Sequence, residues 1–276
     1  GGKGLIGSNL INNFSKNNDL KVYATSREIW SKAEKEVLKD VSLFSKINIT
    51  ESALISKLLK QVKPNIVINA AGLTKHLPNG NDPLKVLPVN TLAPHQIAEM
   101  CQGNNIKFIQ LSTDCVFSGS KGNYLEKDYP DAKDLYGKSK ALGEPSTETS
   151  LTVRVSTIGY EINTKYGLLN WFLNQKKSCK GYVENIFSGF TVDELSNIFC
   201  NYIFNNLRIK GLYHISSYPI SKYDLLHLFS KIYGHKIEIY PDNTVKINRS
   251  LNSDKFRFIT NYQPPDWSDQ IGRAHV

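Results

Sequence analysis

The chain has 276 residues, 40% hydrophobic and 21% charged, with a formal net charge of +9. This excludes a disordered or collagen-like chain and suits one large domain or a nucleotide-binding domain with a smaller second lobe. No apolar run approaches the roughly 18 residues of a membrane span, and four cysteines without a CxxC pair fit a reducing cytoplasm rather than a disulfide scaffold or zinc site. Only six of the 34 cations are arginine, and the lysines are scattered without a basic stripe or interleaved aromatics. Nucleic acid is therefore not an expected partner; a basic surface still attracts small anions such as nucleotide cofactors.

Apolar spacing predicts a helix over 5–14, a strand over 20–25 and a weak strand at 47–49. Thr50 then caps a helix with Leu54, Ile55, Leu58, Leu59 and Val62 on one face. A buried strand follows Pro64 at 66–71, then a helix over 89–102 and a strand over 106–112. Asp134 caps a helix bearing Tyr136, Lys140 and Leu142, and 151–155 forms another strand. Repeated βα units imply an α/β fold, a doubly wound parallel Rossmann-type sheet. Beyond residue 156 the alternation stops. Helices are expected at 168–174, 192–206 and 221–233, the last opening on Ser221 and Asp224 in a capping-box-like start, with short strands at 212–215 and 237–240. The expected division is a dinucleotide-binding domain over 1–156 and a mixed substrate lobe over 157–270 that can interleave with it. The only methionine is Met100, no strand precedes Gly1, and 271–276 do not continue the preceding pattern. The expectation is a fragment lacking its central first strand, unstable alone, with 271–276 as a non-native tail.

Gly1, Gly4 and Gly7 lie three apart at the mouth of the first helix, around Leu5 and Ile6. Such a loop gives a tight turn, lets a pyrophosphate approach the backbone and packs the helix close to the sheet. The second strand ends in Ser26 and Arg27 where NAD binders place an acid; these residues suit a 2′-phosphate. NADPH is the expected cofactor, with NADH left open. Tyr136 and Lys140 stand four apart and share a helix face. An ammonium beside a tyrosine favours the phenolate, and lowering its pKa by roughly three units takes about 4 kcal/mol. Tyr136 is then the general acid for ketone reduction. Thr113 leaves the carboxyl end of a strand, where open α/β sheets bind ligands, and can hydrogen-bond a substrate carbonyl.

Together, the glycine loop, Asn69-Ala70-Ala71-Gly72, Asn90, the run from Ser112 and Thr113 to Gly119, and the run from Tyr136 through Lys140 to Glu144 resemble an extended short-chain dehydrogenase/reductase. They most resemble the dTDP-4-dehydrorhamnose reductase family of sugar-nucleotide reductases. The resemblance implies NAD(P)H-dependent reduction of a 4-keto sugar carried on a nucleoside diphosphate, for surface polysaccharide precursors. It makes Thr113, Tyr136 and Lys140 catalytic, with Lys140 also holding the nicotinamide ribose. Ala70, Ala71 and Gly72 would line the cofactor, and Asn90 would support the site. Asn48, with Ile49, stands where an acidic residue is common, and its amide can still contact adenine. Cys115 replaces a common tyrosine, so the chemistry is better supported than a rhamnose substrate. Lys75 and Arg249 are candidates for the substrate diphosphate. No metal ligand set is present, and a homodimer is left open. Two other readings stay open: a nucleotide-sugar epimerase or dehydratase with bound NAD, and a non-catalytic NADP-binding regulatory subunit. Ser26, Arg27 and the Ser-Thr-Asp segment favour the reductase over the first, and the intact Thr113, Tyr136 and Lys140 over the second.

Overall fold

A computed structural model describes residues 1–160 and 167–275. The first half alternates as expected: α1 (Leu5–Phe14), β1 (Tyr23–Thr25), α2 (Lys32–Val37), β2 (Ser42–Phe44), α3 (Ser52–Val62), β3 (Ile66–Asn69), α4 (Pro83–Leu87), α5 (Ala93–Gly103), β4 (Lys107–Ser112), α6 (Leu135–Leu142) and β5 (Ser150–Arg154). The second half follows with β6 (Thr157–Ile158), α7 (Leu168–Leu173), β7 (Ser178–Tyr182), β8 (Asn185–Phe187), β9 (Phe190–Thr191), α8 (Val192–Ile198), β10 (Gly211–His214), β11 (Ile220–Ser221), α9 (Lys222–Tyr233), β12 (Glu238–Asp242), β13 (Ile247–Asn248), α10 (Asp254–Thr260) and α11 (Trp267–His275).

Strands β3, β4, β5 and β10 form a parallel sheet in the order β10-β5-β4-β3, and β1 pairs in parallel with β2. Gly1 and Gly2 lie between these two units: the Gly2 N–H donates to the Thr25 carbonyl (3.1 Å), and Gly1 packs on Ala70. Strand β4 shows why both faces are covered. Ile109 and Leu111 face a core with Leu10 and Phe14 of α1 and Leu195 and Ile198 of α8, whereas Phe108 joins Ile55, Leu59, Ile97 and Cys101 of α3 and α5. Alternate residues of a strand point to opposite faces, so a strand apolar on both needs helices on both.

The second lobe has its own core, in which Phe172, Phe187, Leu225, Phe229 and Trp267 meet. Its strands pair as β11-β8-β13, β12-β7 and β6-β9. The lobes interleave, because α8 and β10 build the Rossmann layer. Helix α11 runs across the boundary of the expected tail to His275 and buries Ile271 in the second core.

Three local expectations are corrected. The strand expected at 47–49 is instead Ser42–Phe44, in register with Tyr23–Thr25. Lys46 takes a positive φ of 58°, and Ile47 and Ile49 then pack against α3 and α5. Their apolarity signalled burial, not pairing. Thr50 does not cap α3; Glu51 holds that position without a side-chain hydrogen bond. The helix expected from residue 89 already begins at Pro83 and passes through a π turn at Pro88–Leu92. Pro94 has no N–H for the Asn90 carbonyl, and the Ala93 N–H reaches back to Pro88 instead.

Candidate active site

The carboxyl end of β4 turns sharply at Thr113. Its hydroxyl accepts from the Cys115 N–H (3.2 Å) and donates to the Asp114 carboxylate (3.1 Å), fixing a short 3₁₀ turn over Asp114–Val116. Helix α6 lies against this turn. Asp134 caps it as expected, accepting from the Gly137 N–H at 2.7 Å. A Cβ on Gly137 would sit 2.2 Å from the Cys115 carbonyl oxygen, so only glycine lets α6 approach so closely. That approach carries Tyr136 to the turn, where the Thr113 side chain acts on its phenol.

Lys140 lies one helical turn on and is buried, its ammonium donating to the Leu111 carbonyl at 2.7 Å. Burial pulls its pKa down to about 8, against the opposing field of Glu144. The expected lowering of the Tyr136 pKa is not found. Burial raises it, Cys115 and Asp114 push the same way, and the Thr113 side chain only partly opposes them. Lys140 does not override this, because its ammonium is held on the β4 backbone. Tyr136 therefore stands as a protonated acid.

Beneath Lys140 lies a buried polar network. Arg154 forms a bidentate pair with Glu144 (2.8 and 2.7 Å). Glu144 also accepts from the Ser112 hydroxyl (2.5 Å). His214 completes the network as a neutral imidazole: Nδ1 donates to the Tyr124 carbonyl (3.0 Å) and Nε2 accepts from Arg154 (3.3 Å). Burial, then the Arg154 charge, lowers its pKa to about 3. Below pH 6.5 an unfolded chain takes up this proton while the folded one refuses it. Stability is thus lost as pH falls from 6.5 toward 3, by roughly 3 kcal/mol at pH 4 from this group. Urea unfolding at pH 7, 5 and 4 should show His214→Gln with a flatter pH slope than the wild type; equal slopes would refute this.

The loop after β3 is clamped by Asn90, which is fully buried. Its amide oxygen accepts from the Leu73 N–H (2.8 Å) and its nitrogen donates to the Leu73 carbonyl (2.9 Å) and the Ser139 hydroxyl (3.0 Å). One side chain thus ties the loop that begins at Gly72 to α6.

The glycine loop is tightly built. A Cβ on Gly7 would meet the Gly1 carbonyl oxygen at 2.1 Å, and one on Gly1 would meet the Ala70 oxygen at 2.3 Å. Gly4 caps α1 without a side chain, no acid stands in the first turn, and the next N–H groups belong to Leu5, Ile6 and Gly7. Arg27 is exposed and lies within electrostatic reach of Gly1. Ser26 is buried, its hydroxyl accepting from the Glu28 N–H (3.0 Å). Gly1, Gly4, Gly7, Ala70 and Arg27 thus converge. Asn48 turns its side-chain oxygen to the Thr50 N–H (3.3 Å), and Ile49 packs with α3 and α5, so neither is shown joining that cradle. On the other side, Lys75 comes within 4.0 Å of Asp134, and Arg249 reaches Cys115.

A family model, the RmlD substrate binding domain, matches residues 1–271. The chain belongs to this family. It is thereby a member of the oxidoreductases related to dTDP-4-dehydrorhamnose reductase, as its motifs implied. It is 27% identical over 249 residues to the dTDP-4-dehydrorhamnose reductase of Aggregatibacter actinomycetemcomitans, covering 81% of this chain and 85% of that one. In fold it is similar to a hypothetical dTDP-4-dehydrorhamnose reductase from Sulfolobus tokodaii (TM-score 0.77, 22% identity, 95% and 94% of the two chains). It is also similar to the Bacillus anthracis dTDP-4-dehydrorhamnose reductase in complex with NADP (TM-score 0.75, 18% identity, 92% and 98%). Among the described residues no cluster of metal-binding side chains occurs, and no helix is long and apolar enough to cross a membrane.

One residue beside the turn at Thr113 escaped the sequence reading. Lys222, the first residue of α9, interacts electrostatically with Asp114 and Cys115. Its only local signal was the neighbouring Ser221 cap. The pairing of β11 with β8, which brings it to the catalytic turn, is long-range.

Proposed function

We propose that this protein uses NADPH to reduce a 4-keto group on a nucleoside-diphosphate deoxysugar, making precursors for surface polysaccharide. The observation that carries this reading is the meeting of Tyr136 and Thr113 at the carboxyl end of β4, with Lys140 one turn away. The relatives' reductase names and the NADP in the Bacillus anthracis structure support it.

The cradle fits a dinucleotide. The uncapped start of α1 offers its first N–H groups and positive dipole end to a pyrophosphate, and glycine at position 4 keeps the approach open. Arg27 suits a 2′-phosphate. Gly1, Gly4, Gly7, Ala70 and Arg27 would hold NADPH there, and the bound cofactor would supply hydride for the reduction. Thr113 and Tyr136 direct their hydroxyls at the carbonyl oxygen, and Tyr136 gives its proton to the alkoxide as it forms. Lys140 adds positive charge behind Tyr136 and favours the phenolate left behind. The keto group gains hydride and proton and leaves as the alcohol.

The test is a panel of 4-keto nucleotide sugars assayed for NADPH oxidation. Stoichiometric NADPH consumption supports the reading; isomerisation or dehydration without net consumption overturns it. In the same assay Arg27→Ala should lower the NADPH-over-NADH ratio of kcat/KM by about 10-fold or more, the scale of one charge-assisted phosphate contact. An unchanged ratio would remove Arg27 from that role.

A further inference from the structure

The small sheet β11-β8-β13 lies against the catalytic turn, and its two outer strands each deliver a cation there. Strand β11 runs directly into Lys222, and β13 runs directly into Arg249. Between them β8 ends in Phe187, in register with Ile220. Strand β11 runs antiparallel and β13 parallel to β8, so the two cations leave at opposite ends of a strand only three residues long, and both still reach the neighbourhood of Cys115. Arg249 spends its Nε on the Phe117 carbonyl (2.8 Å) and brings Nη1 to 3.9 Å from the Cys115 sulfur. The Lys222 ammonium lies 4.0 Å from the centre of the Phe187 ring, within the field of Asp114 and Cys115. Among the described residues it forms no ion pair and no hydrogen bond. The Asp114 carboxylate, the nearest acid of the turn, is engaged by the Thr113 hydroxyl. Lys222 is thus a cation carried by the second lobe to the catalytic turn and left there over an aromatic face.

We propose that Lys222 is a substrate-binding residue that closes with Arg249 on the diphosphate of the nucleotide sugar, from the side opposite the cofactor. This rests on the nucleotide-sugar reading above and adds the residue that seats the substrate. Burial lowers the Lys222 pKa to about 8. An anion beside it would recover the charge that burial disfavours. The Phe187 face already holds the ammonium, so it need not be ordered anew when the substrate arrives.

The test uses Lys222→Met, which keeps an unbranched side chain without the charge, and Lys222→Arg, which keeps the charge. In Lys222→Met the KM for the nucleotide sugar should rise roughly 10- to 100-fold. Its kcat should stay within about threefold and its KM for NADPH should not change. Lys222→Arg should recover most of the loss. Calorimetric titration of the NADP-loaded protein with thymidine diphosphate should show the same order of affinities, independently of turnover. An unchanged KM and diphosphate affinity in a Lys222→Met protein with wild-type melting temperature overturns the proposal, as does a fall in kcat alone. If the wild type binds the diphosphate but consumes no NADPH with any keto sugar, the reductase reading fails and the clamp stands.

Discussion

Tyr136→Phe is expected to lower kcat for keto-sugar reduction by about 10²- to 10⁴-fold, the usual contribution of a positioned proton donor. NADPH affinity should stay within about twofold, because the lost hydroxyl faces Thr113. The ring is partly buried against the turn that Gly137 admits, so phenylalanine fills the same space and the fold should not suffer. The raised Tyr136 pKa adds a second expectation. The acid stays protonated throughout the neutral range, so reduction should not lose its proton donor as pH rises through 8. Progress curves of NADPH oxidation with equilibrium cofactor titration decide the matter. A variant retaining more than a tenth of the wild-type rate would remove Tyr136 from the proton-donor role.

Arg154→Met is expected to cost about 3–5 kcal/mol of folding stability, a fall in melting temperature on the order of 10 °C. The reason is asymmetry. The Arg154 side chain is 3% exposed and that of Glu144 11%, so removing the cation strands a carboxylate with little access to water. The Ser112 hydroxyl cannot neutralise it alone, and His214 loses the donor to its Nε2. Removing both charges, Arg154→Met with Glu144→Gln, should cost clearly less than the sum of the single losses. Urea unfolding of the four proteins measures the coupling. Strict additivity would mean that the pair contributes nothing as a pair. Glu144 also raises the Lys140 pKa, so this network reaches catalysis through the charge on Lys140.

The Rossmann alternation was legible because each βα unit carries its own signal. Residues 54–62 repeat at helical spacing until Pro64 stops them, and 66–71 follow as a buried strand. The catalytic pair was legible for the same local reason: Tyr136 and Lys140 share one helix, and Asp134 caps it from one residue away. Where strands are two or three residues long, as in β6, β8, β9, β11 and β13, no period can be read. Their pairing partners lie tens of residues away, and only burial on folding selects them. The strand misplaced at 47–49 shows the same limit from the other side, since Ile47 and Ile49 answer to a helix pair and not to a ladder.

The sequence alone therefore determined the fold class, the glycine loop of Gly1, Gly4 and Gly7 before α1, and Thr113, Tyr136 and Lys140 as the candidate site. Each depends on residues within one or two neighbouring elements. Tertiary structure decided the rest. It turned Arg154 inward to Glu144 and raised the Tyr136 pKa where charge spacing alone implied a lowering. It also carried Lys222 some 110 residues along the chain to the turn at Asp114. These outcomes depend on which groups lose water and which charges meet, and those are properties of packing that no spacing along the chain encodes.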